Sequence, residues 1–518
     1  MPVETLYRQL RGRLGAREIS PRRAALIRPD AGPLQASRET FDLVCRTLTE
    51  AAVPYFCVRP LAGRPPVVAV PVSHRSRALS ALARPGFYAA RLPSGRQGHR
   101  RGAPDVERIR PLRRAALADA RVIRVALYFA SPSRTLILGP ELGCDLEFWE
   151  REGDLLVAPR PNRACEAVPV HGPTVQAGEE LFLGLMSEGE RTYPTRPEFA
   201  CRLVGDVDFP IDAVYTWVDG ADPAWRARRD QRLHGGMCEG LSELATTEAR
   251  FASRDELRYS LRSLTTYAPW VRKIWIVTDG QTPAWLREGD RVQMVDHKEI
   301  FRDPSALPVF NSHAIEAQLH RIEGLAEHFL YLNDDFFLGR PLHPETFFEG
   351  NGITRFFPSV AQVPFELHED NPVHAAGMNN RRLLEGLSGR TLIQKMKHVP
   401  YALRRSLLFE LEERFAEEFR ETAHSAFRTS RDISVVSSLA HYYGYLTGRA
   451  VPGTVGYTYV DLALRKTPAK LRRMLRNRDH DTFCLNDTAP TTPEQDQLLL
   501  RFLEAYYPTP GAFEEGVV

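Results

Sequence analysis

FLYLNDDFFLG, residues 329–339, is the stretch on which the fold turns. An apolar run leads into Asn333-Asp334-Asp335 and a second apolar run follows. Runs of this kind predict strands buried on both faces, as in a parallel sheet covered by helices. Two adjacent carboxylates between buried runs are costly unless a cation or hydrogen-bond donors compensate them. Hard oxygen ligands at a strand end suit Mg²⁺ or Mn²⁺, and those ions usually bridge to phosphates. Asn-Asp-Asp also reads as a turn that caps a strand, since Asn and Asp favour turns. The apolar flanks on both sides favour a metal–diphosphate site of the kind nucleotide-sugar transferases use.

Working upstream, residues 211–218 predict a strand ending in Asp219-Gly220, and 274–277 a second ending in Asp279-Gly280. A short third strand is expected at 292–295. Residues 254–267 form an amphipathic helical pattern with Leu257, Leu261 and Leu264 on one stripe. Residues 312–325 form another, with Ile315, Leu319 and Ile322 inward. Alternating strands and helices describe an α/β sheet, and ligands of such sheets bind at the carboxyl ends of strands. The acidic loop ends after Val218, Thr278 and Leu332 are therefore expected to converge on one crevice. Downstream, residues 343–482 look more helical, with a Leu-, Glu- and Arg-rich stretch at 402–419, a packed aromatic face at 435–445 and a basic helix at 467–478. Residues 482–487 again place Asn-Asp at the end of an apolar run, and a last helix at 492–507 stops at Pro508.

Residues 1–205 read differently. A helix is expected at 37–52, capped by Ser37, with Phe41, Val44, Leu48 and Ala52 on one face. Short β-rich runs at 53–60 and 66–72 flank the turn Gly63-Arg64-Pro65-Pro66. The polar stretch 92–111 reads as an exposed loop, and 122–129, 135–138 and 155–158 as strands. The expectation is a small α+β module of residues 1–205, without a catalytic constellation, ahead of a domain of residues 206–518.

At 518 residues, 43% hydrophobic and 26% charged, the chain is an ordinary globular protein of two or three domains. A net charge of +3 does not predict nucleic-acid binding. Arginine pairs such as Arg100-Arg101 and Arg113-Arg114 read as a solvated face. The 7 cysteines form no CxxC pair, which speaks against structural zinc, and their scatter fits a reducing compartment. No run of 18 apolar residues predicts a transmembrane helix, and the N-terminus lacks the apolar core of a secretory signal. Leu6, Leu10 and Leu14 among Arg8, Arg11 and Arg13 read either as a basic amphipathic membrane-surface helix or as a first ordinary helix.

Four stretches resemble, in order, the motif regions of the Stealth family. They are IDAVYTWVDGADPAW (211–225); RDELRYSLRSLTTYAPWVRKIWIVTDGQTPAWL running on to FNSHAIEAQLHRIEGLAEHFLYLNDDFFLG (254–286 and 310–339); KHVPYALRRSLLFELEERFAEEF with FRTSRDIS (397–419 and 427–434); and FCLND (483–487). Collinear long motifs make the resemblance specific over roughly residues 211–490. The family holds bacterial capsule and exopolysaccharide phosphotransferases and the animal enzyme that places N-acetylglucosamine-1-phosphate on lysosomal glycoproteins. The resemblance implies a nucleotide-sugar-binding sheet, GT-A or Rossmann-like, with helical additions. It implies transfer of a hexose-1-phosphate from a nucleotide diphosphate sugar, UDP-linked, to a hydroxyl of a glycan acceptor. The setting implied is exopolysaccharide, capsule or cell-wall glycopolymer synthesis in the cytoplasm, at the inner face of the membrane. The competing readings are a metal-dependent glycosyltransferase, which would release a nucleoside diphosphate, and a sugar-binding scaffold without turnover.

Phosphoryl transfer needs positioning and charge neutralisation. Asp334 and Asp335 are the candidate ligands for Mg²⁺ or Mn²⁺, with Asp335 favoured and the resemblance supporting a catalytic Asp there. Asn486 and Asp487 are a second oxygen-bearing pair, for metal or sugar; without the resemblance they read as a turn. His398, in Lys397-His398-Val399-Pro400, matches a family motif whose His is catalytic, and is the candidate base. Val399-Pro400 would hold it extended before a helix. His320 is the alternative base, weighed equally against a contact to Glu316. Arg428 in the FRTS segment is the candidate phosphate clamp. Arg254, Glu256 and Arg258 are candidates for ordering the nucleotide site. Tyr215, Trp217, Asp219 and Gly220 end the first strand, where an aromatic could stack on a base and the Asp accept from ribose; for Trp217 core packing stands as an equal reading. Asn311 and Ser312 cap the helix at 312–325, whose N-terminus could meet phosphate.

Overall fold

A computed structural model describes the chain except for residues 1–15, 21–22, 85, 94–106, 109–116, 186–188, 235–245, 247–250, 367–370, 488–490 and 516–518. The leucine repeat at 6–14, the two arginine pairs, most of the 92–111 loop and Cys238 lie outside the described residues. Two compact units divide the chain, Met1–Val204 with Ala505–Thr509, and Gly205–Glu504 with Pro510–Val518. No helix among the described residues is long and apolar enough to cross a membrane.

The second unit is α/β, as expected. Its main sheet contains β1 (Ile211–Thr216), β2 (Ile274–Thr278), β3 (Val292–Asp296) and β4 (His328–Asn333). The order is β3-β2-β1-β4 with all neighbours parallel, and Tyr401–Arg404 pairs antiparallel with β4 at the edge. β2 is buried throughout, which its unbroken apolar sequence IWIVT requires. Between β1 and β2 runs α1 (Glu256–Tyr267), with Leu257, Leu261 and Leu264 all buried. The strand order reverses between β1 and β4, and a doubly wound sheet binds its ligand at that switch point, outside the carboxyl ends. Asp212 is a buried carboxylate inside β1. Arg272 Nε and Nη2 at 2.8 and 2.7 Å, Trp275 Nε1 at 3.1 Å and the Ala326 N–H at 2.9 Å donate to it. With the Lys273 N–H at 3.2 Å, five donors make its burial tolerable and tie β1 to the loops beside it.

Asn333 ends β4, the chain turns at Asp334-Asp335, and β5 (Phe336–Leu338) leaves for a different sheet. There β5 pairs antiparallel with Thr482–Asn486, which pairs parallel with Tyr457–Asp461. Each apolar run thus serves a separate sheet, and the turn joins them. The Phe336–Cys484 pairing carries Asn486-Asp487 to the side of Asp335.

Several elements differ from expectation. The helix expected at 312–325 is only five residues, α2 (Ser312–Glu316), followed by a 3₁₀ turn at Leu319–Arg321. Gly324, at φ 78°, then redirects the chain into β4. His398 lies in a bend ahead of the strand Tyr401–Arg404, not ahead of a helix, because that strand completes the main sheet. The first-unit helix begins at Pro33, four residues before Ser37, since proline's fixed φ suits the first turn.

The first unit is larger in sheet than a small module suggests. A ten-stranded sheet holds Cys144–Glu152 between Val67–Pro71 and Val122–Ala126. That nine-residue strand carries no clear sequence signal because Asp145 and Glu147 interrupt it. Arg124 Nε meets Asp145 at 2.6 Å, and Arg160 meets Asp145 at 2.6 Å and Glu147 at 2.5 Å, so both carboxylates are buried as ion pairs. On the other face Leu146 and Phe148 join Phe41, Val44 and Leu48 of the helix Pro33–Glu50 in the core.

Candidate active site

A cavity of about 630 Å³ opens across the carboxyl ends of β1 to β4. Thr216 and Trp217 reach it from β1, Val277 from β2, and Asn333, Asp334 and Asp335 from β4. Thr216 aligns with both Val277 and Asn333 in the strand register, so these chain ends lie level. Trp225, Phe251 and Phe310 supply an aromatic floor packed on Phe427. Sequence reasoning passed over all three, because aromatics on a helix and in loops carry no site signal.

One wall is acidic. Asp335 Oδ2 accepts from Asn486 Nδ2 at 2.9 Å and from the Cys484 thiol at 3.1 Å, while its buried Oδ1 has no partner. Burial pushes the Asp335 carboxyl up to about 6, with the nearby Glu256 adding to it and the two donors opposing. Burial, then Glu256 and Asp335, raise Asp334 well above the carboxylate range. Burial also raises Asp487, against the pull of Arg254. Arg254 is the hub of this wall. Its Nε donates to Glu256 at 2.8 Å, its Nη1 to Asp496 at 2.9 Å and to Thr491 at 3.0 Å, and its Nη2 to Asp487. With the guanidinium engaged this way, Arg254 positions carboxylates.

These carboxylates suit a hard cation. Asp335 Oδ1 and Asp487 Oδ1 are both buried without a partner, which costs about 1–3 kcal/mol each in a neutral site and more when charged. Among the described residues no three His, Cys, Asp or Glu side chains form a ready metal cluster. Mg²⁺ is ordinarily held by one or two carboxylates with waters and substrate phosphates, so two protein oxygens are a sufficient set.

Basic groups line the same cavity. Arg428 Nη2 donates to Ser312 Oγ at 2.7 Å, and its buried Nε has no partner. Asp432 bolts its loop down, accepting from the Thr429 N–H at 3.1 Å and from Asn311 Nδ2 at 2.8 Å. Asp432 stands in the quoted FRTSRDIS stretch, yet only the fold reveals its task. His398 faces the cavity and is exposed to it, with its ring 6.0 Å from that of Phe336, the neighbour of Asp335. The enclosing walls, then Lys395 and Arg428, push its pKa below the ordinary histidine value.

Other expected site residues lie elsewhere. Tyr215 is fully buried with its hydroxyl 3.1 Å from Ser260 Oγ, so it cannot stack on a base. Asp219 Oδ1 accepts from the Ala221 N–H, and Gly220 packs on Phe251, whose carbonyl would lie 2.3 Å from an added Cβ. Neither lines the cavity. Arg258 meets Glu514 at 2.6 Å, because the C-terminal segment folds back onto α1. His320 is fully buried 2.8 Å from Glu412, not Glu316, and contributes nothing to the cavity wall. Asn311 caps α2 through Oδ1, accepting from the His313 N–H at 3.1 Å, and spends its amide on Asp432; a five-residue helix offers no phosphate site. Trp217 lines the cavity with Nε1 3.4 Å from Ser253 Oγ, so its packing and ligand readings coexist. His297 and Asn371, absent from the expected set, also line the cavity.

The four Stealth protein conserved regions, one to four, match residues 209–237, 250–356, 397–445 and 472–516. An exopolysaccharide phosphotransferase of Streptomyces coelicolor is 47% identical over 502 residues, spanning 95% of this chain and 85% of the relative. The chain belongs to the Stealth family. A second relative, the exopolysaccharide phosphotransferase CpsY of Mycobacterium tuberculosis, is 35% identical over 527 residues, 97% of this chain and 94% of its own. Among solved structures, the galactosyltransferase LgtC in complex with donor and acceptor sugar analogs aligns with 58% of this Stealth chain and 97% of its own, at 10% identity. Its TM-score of 0.30 is too low to bear on this fold.

Proposed function

We propose that the chain transfers a hexose-1-phosphate from a nucleotide diphosphate sugar to a sugar hydroxyl of a glycan. The observation that supports this reading is one cavity at the switch point of the sheet, lined together by Asp334, Asp335, Asp487, Arg428 and His398. The acceptor oxygen bonds to the β-phosphorus, the bond from that phosphorus to the α–β bridging oxygen breaks, and nucleoside monophosphate leaves. His398, neutral because its pKa is depressed, takes the proton of the acceptor hydroxyl on an imidazole nitrogen. Arg428, braced by Ser312, offers its planar fork to the equatorial phosphate oxygens. Asp335 and Asp334 would hold Mg²⁺ or Mn²⁺, with Asp487 kept beside them by Arg254. When bound, such an ion neutralises the charge of the diphosphate. Trp217 and the aromatic floor exclude water from the donor.

The reading places the reaction in the cytoplasm at the inner membrane face; the free thiols of the six described cysteines suit a reducing compartment. The first unit would serve acceptor choice or location. Incubation with a panel of nucleotide sugars, with Mg²⁺ or Mn²⁺, tests the chemistry through the released nucleotide. Monophosphate is expected; diphosphate would establish a glycosyltransferase instead.

A further inference from the structure

Where β3 ends, Asp296 accepts from the Lys298 N–H at 2.9 Å, and Glu299 accepts from the Asp296 N–H at 2.7 Å. This capping box fixes the first helical residue, His297, in place. The His297 side chain is 1% exposed and lines the same cavity as the acidic and basic groups. Neither ring nitrogen has a hydrogen-bond partner. A buried imidazole left wholly unmatched calls for a ligand, because native interiors pair nearly all such atoms. Its charged neighbours are already engaged: Asp279 with Arg228 at 2.8 Å, Asp296 in the cap. Burial lowers its pKa to about 4, so at neutral pH the ring is neutral and offers one donor and one acceptor.

Position along the sheet tells which part of a ligand it would meet. His297 follows β3, and Asp334-Asp335 follow β4. In the order β3-β2-β1-β4 these ends are three strand spacings apart, about 14 Å. Between them the cavity is lined by Trp217, Val218 and Val277, with Val309 and Ile315. This apolar slot has the imidazole at its β3 end and Asp334-Asp335 at its β4 end. We infer that His297 reads the nucleobase edge of the donor. The inference rests on the nucleotide-sugar reading above and assigns that donor's base a specific partner. With its diphosphate at Asp335 and Arg428, the donor lays its ribose along the strand ends. Its base enters the slot and meets the imidazole through a ring N–H or amino group and a carbonyl or ring nitrogen. Ribose 5-phosphate, held by its phosphate at the β4 end, carries no base to reach the imidazole.

The test is calorimetric binding of UMP, CMP, AMP, GMP and ribose 5-phosphate to the full chain, to His297→Phe and to His297→Gln. The wild type is expected to prefer one base by at least about 10-fold and to bind it more tightly than ribose 5-phosphate. His297→Phe should weaken the preferred nucleotide about 10- to 100-fold and leave ribose 5-phosphate unchanged. His297→Gln, still one donor and one acceptor in reach, should keep part of the preference. On the wild type, N-methylation of the preferred base on its hydrogen-bonding edge should abolish the preference, and this arm decides if a variant fails to fold. Base preference that survives both His297→Phe and base methylation overturns the subsite alone. No binding of any nucleotide by the wild type overturns the donor reading, and the subsite with it.

Discussion

At Asp335, two donors satisfy one carboxylate oxygen while the other is buried and bare. A proton and a divalent cation compete for that oxygen. Since the carboxyl is pushed up to about 6, affinity for Mg²⁺ or Mn²⁺ should fall as pH drops through about 6. Calorimetry in buffers of different ionisation enthalpy would count the protons released. Asp335→Asn should remove the Asp335 share of that pH dependence and abolish turnover while leaving the fold intact, because a lost metal ligand removes several kcal/mol of transition-state stabilisation. Near wild-type turnover in both Asp335→Asn and Asp334→Asn, at saturating metal, would put the metal elsewhere. In the same cavity, His398→Ala should lose about 10²–10⁴-fold in turnover with donor affinity kept. Arg428→Lys should lose turnover too, since an ammonium cannot reproduce a planar two-point contact. Nucleotide release for turnover and titration for affinity separate the two roles; a fully active Arg428→Lys would make Arg428 a structural partner of Ser312.

Elements whose information is local were legible in the sequence, and those built by distant partners were not. The strands β2 and β4 and the stripe of α1 follow from apolar runs and a 3.6-residue period, and β1 from a run that Asp212 alone breaks. Of the three acidic loop ends expected to converge, only Asp334-Asp335 lines the cavity; the ends of β1 and β2 reach it through Trp217, Val218 and Val277, while Asp219 and Asp279 do not line it. The strand Cys144–Glu152 was not, because Arg124 and Arg160 from elsewhere make its acids buriable. The helix expected at 312–325 failed for a related reason. His320 on its inner face is bound to Glu412, ninety-two residues away, and the 3₁₀ turn there orients it. His441 offers a prediction at this scale. It follows the π-helical turn Val435–Leu439, lies buried against Phe356 and Tyr401, and burial lowers its pKa to about 4. Between pH 6.5 and about 4 the unfolded chain binds a proton that the folded chain refuses. Stability is therefore full above about pH 6.5 and falls as pH drops towards 4, by on the order of 3 kcal/mol. His441→Phe should remove that share of the slope in urea midpoints measured at pH 7.5 and pH 5, leaving the parallel shares of His297, His320, His328, His398 and His480, whose pKa values burial also lowers. An unchanged slope would mean the ring is hydrated in the fold.

On the scale of the whole molecule, every residue lining the cavity belongs to the second unit. A fragment of residues 206–518 should therefore retain donor turnover. Its C-terminal end must be kept, because Glu514 binds Arg258 and Arg262 of α1, each at 2.6 Å, and the Phe513 carbonyl accepts from the Arg287 N–H at 2.8 Å. Cutting at residue 504 would leave Arg262, buried in α1, without its carboxylate, a loss of about 3–5 kcal/mol for a buried pair. The complication is Ala505–Thr509, which belongs with the first unit although it interrupts the second. Tyr506 and Tyr507, 1% and 3% exposed in the full chain, lie in that segment. In the fragment they would form an exposed aromatic patch and promote association. Tyr506→Ser with Tyr507→Ser should then raise the fragment's solubility without changing its turnover. Light scattering follows the first and nucleotide release the second. A double variant that is monomeric, cooperatively folded and inactive towards every donor would show that the first unit takes part in the chemistry, against its proposed role in acceptor choice or location.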